Sequence, residues 1–570
     1  MKKFMKYLAA VVVLGLAGCH QPDAFEHNSV QPLTSVTARF ATGAYKNDVS
    51  AVFTTPVAQG QERIVIDIPY FYPESSDNVI SDISEMRVTA SLGVNCKIEP
   101  ALGTLDLSKE NYFTVTDMDG NSQQICITGN IKKSSACLIE EFTLPDLRLS
   151  GIIDNDKGEI TLITIDELPP VKASYRLSYH ASIAPDPAVQ ALDYNNEPEL
   201  TVTAYDGVTS KKYKVLKGAP ARLPNGMRPG SGTLLWAKQL YGDLGIATVN
   251  MTGGIAVTED YILLNTRAEN SVILNRSTGE RIGEYTLPAD VKASVRNFYN
   301  TADRAGNILI CNLTTNDGNI FKIWRVNPDL KSEPQLWLQY DTGGVAMGRK
   351  FSVQGDIDGN AIVTAPIHAN SQFVRWQVTN GVIGTPEVIT ATGFSSGTWT
   401  SNVDVVSTSD TDPHANYFVT YYGSGDHTAV VDGQTNKVIS ELTDIIGSNY
   451  ISNAVDYVTF NDRGYMCFNS VNSFTWGGGG GNFPTTDCCW LLDANNPHDF
   501  SGSPNDPSNP IFIMNSGDYM SRTVANGNVA NGNGTGDVAL YVSSDGYYMY
   551  MYMMITNGWI VGWQFDCIDK

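Results

Sequence analysis

The sequence predicts an all-β protein: two small Ig-like β-sandwich modules followed by a six-bladed β-propeller closed by an N-terminal strand. Three observations predict it. A short apolar phrase closed by a polar turn residue occurs six times in the C-terminal part of the chain. A strand–turn–strand pattern occurs twice, 87 residues apart, in the N-terminal part. The composition is rich in turn formers and β-formers, with 51 glycines, 27 tyrosines and only 17% charged residues. A chain of 570 residues is too long for one core and implies several domains.

Residues 1–19 read as an export signal outside the fold. Lys2, Lys3 and Lys6 precede the apolar run Leu8–Leu16, which is too short to span a bilayer as a mature helix. The run ends in Leu16-Ala17-Gly18-Cys19, which looks like a lipobox, so Cys19 is expected to be the acylated first residue. The alternative is an ordinary secretory signal with an incidental cysteine. Lipidation would make the acyl chains the protein's membrane contact. Residues 20–33 lack periodicity and read as a tether.

Residues 34–131 and 132–217 are expected to be the two sandwiches. Phe113-Thr114-Val115-Thr116-Asp117-Met118-Asp119-Gly120 matches Leu200-Thr201-Val202-Thr203-Ala204-Tyr205-Asp206-Gly207. Each is an alternating strand, an Asp-Gly turn and then a second strand, a strong hairpin signal. Upstream strands are expected at Arg63–Ile68, Met86–Leu92 and Glu159–Ile165. Strand-only units of about 90 residues suit small antiparallel sandwiches. Residues 218–232 hold three prolines and four glycines and read as a linker.

The propeller is expected over 233–570. Its phrase reads Val272-Ile273-Leu274-Asn275, Trp324-Arg325-Val326-Asn327, Trp376-Gln377-Val378-Thr379, Ala429-Val430-Val431-Asp432, Trp490-Leu491-Leu492-Asp493, and finally Trp559 to Asp566. A turn and a strand precede each phrase. Before those comes another strand, opened by Thr248, Ser294, Ser352, Ser401, Ser452 and Ser521. Six four-strand units of about 50 residues are the pattern of a propeller. The sixth unit has no outer strand of its own. Residues 233–240, which belong to no unit, are expected to supply it and remove an open edge.

Charge and motifs narrow the function. The formal charge is −22; without the three signal lysines, 35 basic against 60 acidic residues give −25. That excludes nucleic acid and anionic lipid as partners needing a basic face. Of the nine cysteines, Cys19 belongs to the signal, and the other eight are too few for a disulfide scaffold in so long a chain. A Cys467–Cys489 bridge is open, as are buried free thiols. Asp117, Asp154 and Asp356 begin short acidic turns that lack the full calcium-loop pattern, so no metal or other cofactor is expected. His368 and His427 occupy similar positions in two of the six units, too few for a ring of ligands. No nucleophile motif stands out, and an enzyme is not expected.

In a four-stranded blade, the loops from strand two to three and from strand four to the next blade share one side. Those loops carry Arg267, Arg349, His368, Trp399, Tyr422, His427, Tyr450, Trp476 and Tyr519. Aromatic faces stack on sugar rings and planar polar groups read hydroxyls, so these nine are the candidate glycan-binding residues. The competing reading packs several of the aromatics between blades.

The stretch LDLSKENYFTVTDMDGNS resembles the Ig-like modules of Bacteroidota surface lipoproteins, where such modules act as spacers. The order of lipobox, Ig-like modules and propeller resembles a family of outer-surface lipoproteins of unknown function associated with glycan-uptake systems. Asp23 and Glu26, just after Cys19, resemble the acidic signals that accompany surface export. The resemblance implies an outer-membrane, outward-facing, non-catalytic lipoprotein that captures oligo- or polysaccharide beside a TonB-dependent transporter complex. The alternatives are a carbohydrate-active propeller enzyme, hydrolase or lyase, and an adhesion or assembly scaffold that binds protein.

Overall fold

The computed structural model describes residues 31–446, 450–472, 487–517, 519 and 531–569. The signal, Cys19 and most of the tether lie outside the described residues, as does Trp476. The chain divides into two compact units between Pro220 and Ala221. Both are all-β; the only helices among the described residues are three single 3-10 turns.

The first unit begins with two four-stranded sheets. One runs Phe53–Pro56, Leu33–Phe40, Met86–Leu92, Thr104–Leu105; the other runs Arg63–Pro69, Ser122–Lys132, Asn111–Thr116, Lys97–Glu99. Strand alternation builds the core. Ile64, Ile66 and Ile68 are buried while Arg63, Val65 and Asp67 between them are exposed. The three isoleucines join Val36, Met86, Val88, Phe113 and Ile127 in one cluster. The rest of the unit is a seven-stranded path around a second core. Within it, Leu149–Asp154 changes partner midway. Leu149 and Ser150 pair with Ile139–Leu144, and Gly151 to Asp154 pair with Glu159–Ile163.

Both repeated hairpins form. Asp117 accepts the N–H groups of Asp119 (2.9 Å) and Asn121 (2.8 Å), and Asp206 accepts those of Val208 and Thr209, both at 2.8 Å. Asp154 and Asp356 likewise accept turn N–H groups, which accounts for acidic residues at these turns. The pairing is not purely antiparallel, however. The long second strand of each hairpin also pairs in parallel with an earlier strand, Arg63–Pro69 in one case and Glu159–Ile163 in the other. No local turn signal announces such a long-range partner.

In the second unit, residues 221–231 are not the free linker that their prolines and glycines suggest. Leu223 N–H donates to Cys567 O (2.8 Å), Gly226 N–H to Asn461 O (2.6 Å) and Met227 N–H to the Tyr465 hydroxyl (2.8 Å). Arg228 forks onto both oxygens of Asp566 at 2.8 and 2.5 Å. The stretch is a strap pinned to the body of the unit.

Six antiparallel sheets follow. Their first strands are Thr252–Val257, Tyr299–Ala302, Ser352–Gly355, Val403–Ser407, Val455–Phe460 and Gly536–Val542. Ser352 opens its strand; the strands expected from Thr248, Ser294, Ser401 and Ser452 begin two to five residues later. The strand expected at Ser521 is instead Gly536–Val542, and Ser521 lies outside the described residues. Each recurring phrase is the third strand of its sheet: Ser271–Asn275, Ile320–Val326, Gln372–Thr379, Asp426–Asp432, Cys488–Asp493 and Trp559–Asp566. In five of these the fourth strand carries one extra residue opposite the phrase, a bulge that bends the outer strand.

The fourth strand of the sixth sheet is Thr233–Gln239, antiparallel to the last phrase with Gln239 opposite Trp559 and Thr233 opposite Gln564. First strands of successive sheets touch in order, and the sixth touches the first. Each sheet thus buries both faces. Tyr548–Ile555 shows it: Tyr550, Tyr552 and Met554 pack toward the first sheet, while Met551 Sδ lies 3.8 Å from Cys489 Sγ of the fifth. All eight described cysteines are free thiols, and burial raises the Cys467 thiol well above its ordinary value.

Candidate functional site

The site lies on the side of the second unit where loops two-to-three and the loops between sheets emerge. Arg267 directly follows the second strand of the first sheet, Tyr261–Thr266. Arg349 and Lys350 directly precede the first strand of the third, Ser352–Gly355. Antiparallel succession brings them to one cavity of about 90 Å³, which Phe298, Tyr299, Asn533 and Thr535 also line. Arg267 lies over the Phe298 ring, 4.8 Å from its centre, and donates to Asn250 O at 2.6 Å. Arg349 donates through Nη1 to Asn402 Oδ1 (3.2 Å) and Asn533 O (3.4 Å). Among the described residues, neither guanidinium pairs with a carboxylate. Burial, and then the charge on Arg349, hold the Arg267 guanidinium below its ordinary value; burial does the same to Arg349.

Lys350 forms the floor. It is buried, donates to Asp537 Oδ1 (2.5 Å) and Gly536 O (2.9 Å), and lies 4.8 Å from the centre of the Tyr299 ring. Below it three acids occupy the second position of the first strands of sheets four, five and six: Asp404, Asp456 and Asp537. Each accepts a backbone N–H from the first strand of the next sheet. Asp404 takes that of Val455 (3.2 Å), Asp456 that of Leu540 (2.7 Å) and Asp537 that of Ile255 (2.8 Å). Asp404 also takes Ser352 Oγ at 2.6 Å, and Asp456 takes Tyr457 N–H at 2.7 Å. Burial pushes Asp456 up to about 7 and Asp537 up to about 6, and raises Asp404; Lys350 pulls Asp404 and Asp537 back down. Their shared role is to staple neighbouring sheets.

The other expected residues scatter. Trp399 is a correction: it is 1% exposed, donates to Ile367 O at 2.9 Å and packs edge-on against Phe394. Tyr450 is a second correction, buried in a short strand opposite Asn472. Both have the inward side of the chain at their positions, so neither offers a ring face to a ligand. Tyr519 is half-buried, edge-on to Trp559 and Trp563 at 5.9 Å each. Tyr422 is half-buried and its N–H donates to the backbone carbonyl of Asn402 (3.0 Å), the residue whose side chain accepts from Arg349. His368 is exposed after the second strand of the third sheet. His427 stacks on Tyr421 at 4.8 Å and meets Glu441 at 3.0 Å. Ser395 Oγ also approaches His427 on that same Nδ1, at 3.4 Å, so the imidazole does not relay between serine and acid. Among the described residues, neither histidine hydrogen-bonds to the three stapling acids.

Thus Arg267 and Arg349 come together, the Tyr422 backbone shares Asn402 with Arg349, and the expected aromatic platform is not assembled from Trp399 and Tyr450. Lys350 and Phe298 went unnoticed in the sequence. The Arg349-Lys350 doublet, in a chain with 38 basic residues in 570, was a signal for the first of these.

A family model described as Domain of unknown function (DUF8500) matches residues 238–566. The chain belongs to this family. In this DUF8500 protein the match runs from the end of the closing strand to the last residue of the sixth sheet's third strand, so it includes the whole arginine cavity. Two further models match upstream, DUF5018 over residues 14–129 and DUF8499 over 139–217, both also domains of unknown function. Comparison with curated proteins yields no match. Among solved structures, a DUF4623 family protein from Bacteroides eggerthii DSM 20697 is similar at 15% identity, covering 76% of this chain and 99% of that one, with a TM-score of 0.44. The RRP9 WD40 repeats match at 8% identity over 60% of this chain and 99% of that one, with a TM-score of 0.33. The structure of U3-55K matches at 8% over 60% and 100%, with a TM-score of 0.32.

Proposed function

We propose that residues 233–570 form a six-bladed β-propeller closed by its N-terminal strand, that residues 34–217 form two Ig-like spacer modules, and that the protein is a non-catalytic glycan-binding lipoprotein. In this reading Cys19 carries acyl chains that hold it on the outer membrane, facing outward. The propeller captures oligo- or polysaccharide for a TonB-dependent uptake system. The observation that carries the binding role is the open cavity at Arg267 and Arg349. Their planar N–H donors are not consumed by acids, and such groups read sugar oxygens directionally. Phe298, which also lines the cavity, supplies an aromatic ring.

Affinity electrophoresis of the full chain through polysaccharide-containing gels tests the reading. Retardation by at least one polysaccharide, lost on R267A/R349A, is the expected result. Retention on no polysaccharide, together with retention by a protein partner, would sink it. New reducing ends or unsaturated products after incubation would instead make the protein an enzyme.

A further inference from the structure

We infer that the Arg267–Arg349 pair is an oxyanion subsite, and that the glycan it takes is acidic, carrying carboxylate or sulfate groups. This rests on the glycan-binding reading above and names its substrate class.

Two like charges share one small cavity in a chain whose formal charge is −22. Elsewhere in the same unit arginines face acids: Arg296 meets Asp317, Arg325 meets Asp358, Arg375 meets Glu387 and Arg463 meets Asp493. Arg222, which also lacks an acid partner among the described residues, stands alone on Tyr547 and donates to a carbonyl. Arg267 and Arg349 are the case in which two uncompensated guanidiniums converge. Partial burial makes that costly unless a negative group completes the site.

The pair is held by a built scaffold. Asn250 O takes the Arg267 donor, and Asn533 O takes one from Arg349. Asn533 Nδ2 in turn donates to Asn250 O at 3.1 Å, and Asn557 exchanges hydrogen bonds with Asn250 at 2.8 and 2.7 Å. Asn250 sits in the left-handed region at φ 61°, a conformation asparagine tolerates. Two arginines are thus anchored to one asparagine knot through a minority of their donors, which leaves forks free for a carboxylate or sulfate. A group in the cavity meets Lys350 rather than an acid, because Lys350 lines the cavity and Asp404, Asp456 and Asp537 do not. A cavity of about 90 Å³ fits a single oxyanion with the rest of the sugar outside it.

The test compares polygalacturonate, dextran sulfate and a neutral glucan on the full chain, wild type against R267Q, R349Q and R349K, by isothermal titration at two salt concentrations. Thermal melts confirm that each variant is folded. We expect an acidic polysaccharide to bind, at least tenfold weaker binding in each Gln variant, and a shallower salt dependence. R349K should fall between, since it keeps the charge and loses the fork. Polygalacturonate carries only carboxylates and dextran sulfate only sulfates, so which of them binds separates the two. Binding of neutral glucan alone, or acidic binding unchanged in folded Gln variants, overturns the subsite while leaving glycan capture standing. Arginine-dependent binding of free glucuronate or inorganic sulfate, with no polysaccharide bound, overturns glycan capture and leaves the subsite standing.

Discussion

Lys350 sits where three buried carboxylates would otherwise share the middle of the ring with no counter-charge at hand. Its ammonium reaches Asp537 and eases Asp404 through space. Removing one partner of a buried pair leaves an uncompensated charge, so K350M should destabilise the second unit by about 3–5 kcal/mol in urea denaturation. K350M/D537N should recover part of the loss; a double variant as weak as the single would refute the pairing. The same acids set a pH dependence. An aspartate of ordinary value near 3.9 when unfolded, but raised to about 6 or 7 when folded, holds its proton longer in the folded state. Stability therefore falls as pH rises from about 4 to about 7 and levels off above. Asp432 and Asp358, lowered by hydrogen bonds to Thr435 and Arg325, act in the opposite sense only below that window. The second unit should melt several degrees higher at pH 5 than at pH 7.5; a flat or rising profile would show the acids ionised as usual. At this scale the sequence was legible where topology alone decides. Arg267 and Arg349 share a side because loops in an antiparallel meander must. Trp399 and Tyr450 were misread because residues in loops and at strand edges carry no alternation to tell inside from outside. The Lys350–Asp537 pair spans 187 residues and leaves no local pattern.

At the scale of elements, the hairpin after each phrase shows why the phrase repeats. Asn275 Oδ1 accepts the N–H groups of Ser277 and Thr278, and Asp432 Oδ1 those of Gln434 and Thr435. Each turn then needs a left-handed residue, Gly279 at φ 69° in one and Asn436 at φ 55° in the other. Gly279 answers a second demand as well. A β-carbon there would lie 2.4 Å from the Trp236 ring of the closing strand. G279A should cost about 3 kcal/mol through strain and overlap together. Gly230, at φ 72° with open space around it, is the control: G230A should cost about 1 kcal/mol. Equal losses in chemical denaturation would mean that the ring contact contributes nothing. The hairpins and phrases were plain in the sequence because their signals are local. The strap at 221–231 was not, since proline and glycine report a break in regular structure and say nothing of what the broken segment docks against.

For the whole molecule, the sixth sheet decides whether the ring exists. Thr233–Gln239 and Trp559–Asp566 pair across 320 residues or more, and the strap adds the Arg228–Asp566 fork beside them. Deleting residues 231–240, or 559–570, should abolish the cooperative melt of the second unit. A protease-resistant fragment covering residues 33–218 should survive. A deletion variant that melts like the parent would show that closure is dispensable. This joint was readable in advance because a four-strand count left one strand missing and one strand spare, an arithmetic that needs no side-chain detail. The joint also imposes an order in time. A growing polypeptide presents Thr233–Gln239 early and cannot seat it until residue 566 has followed, so the first strand of the second unit waits longest for its partner. Contacts this distant in sequence form slowly. Every prematurely terminated copy then displays an unpaired hydrogen-bonding edge, the feature by which quality control would recognise unfinished chains.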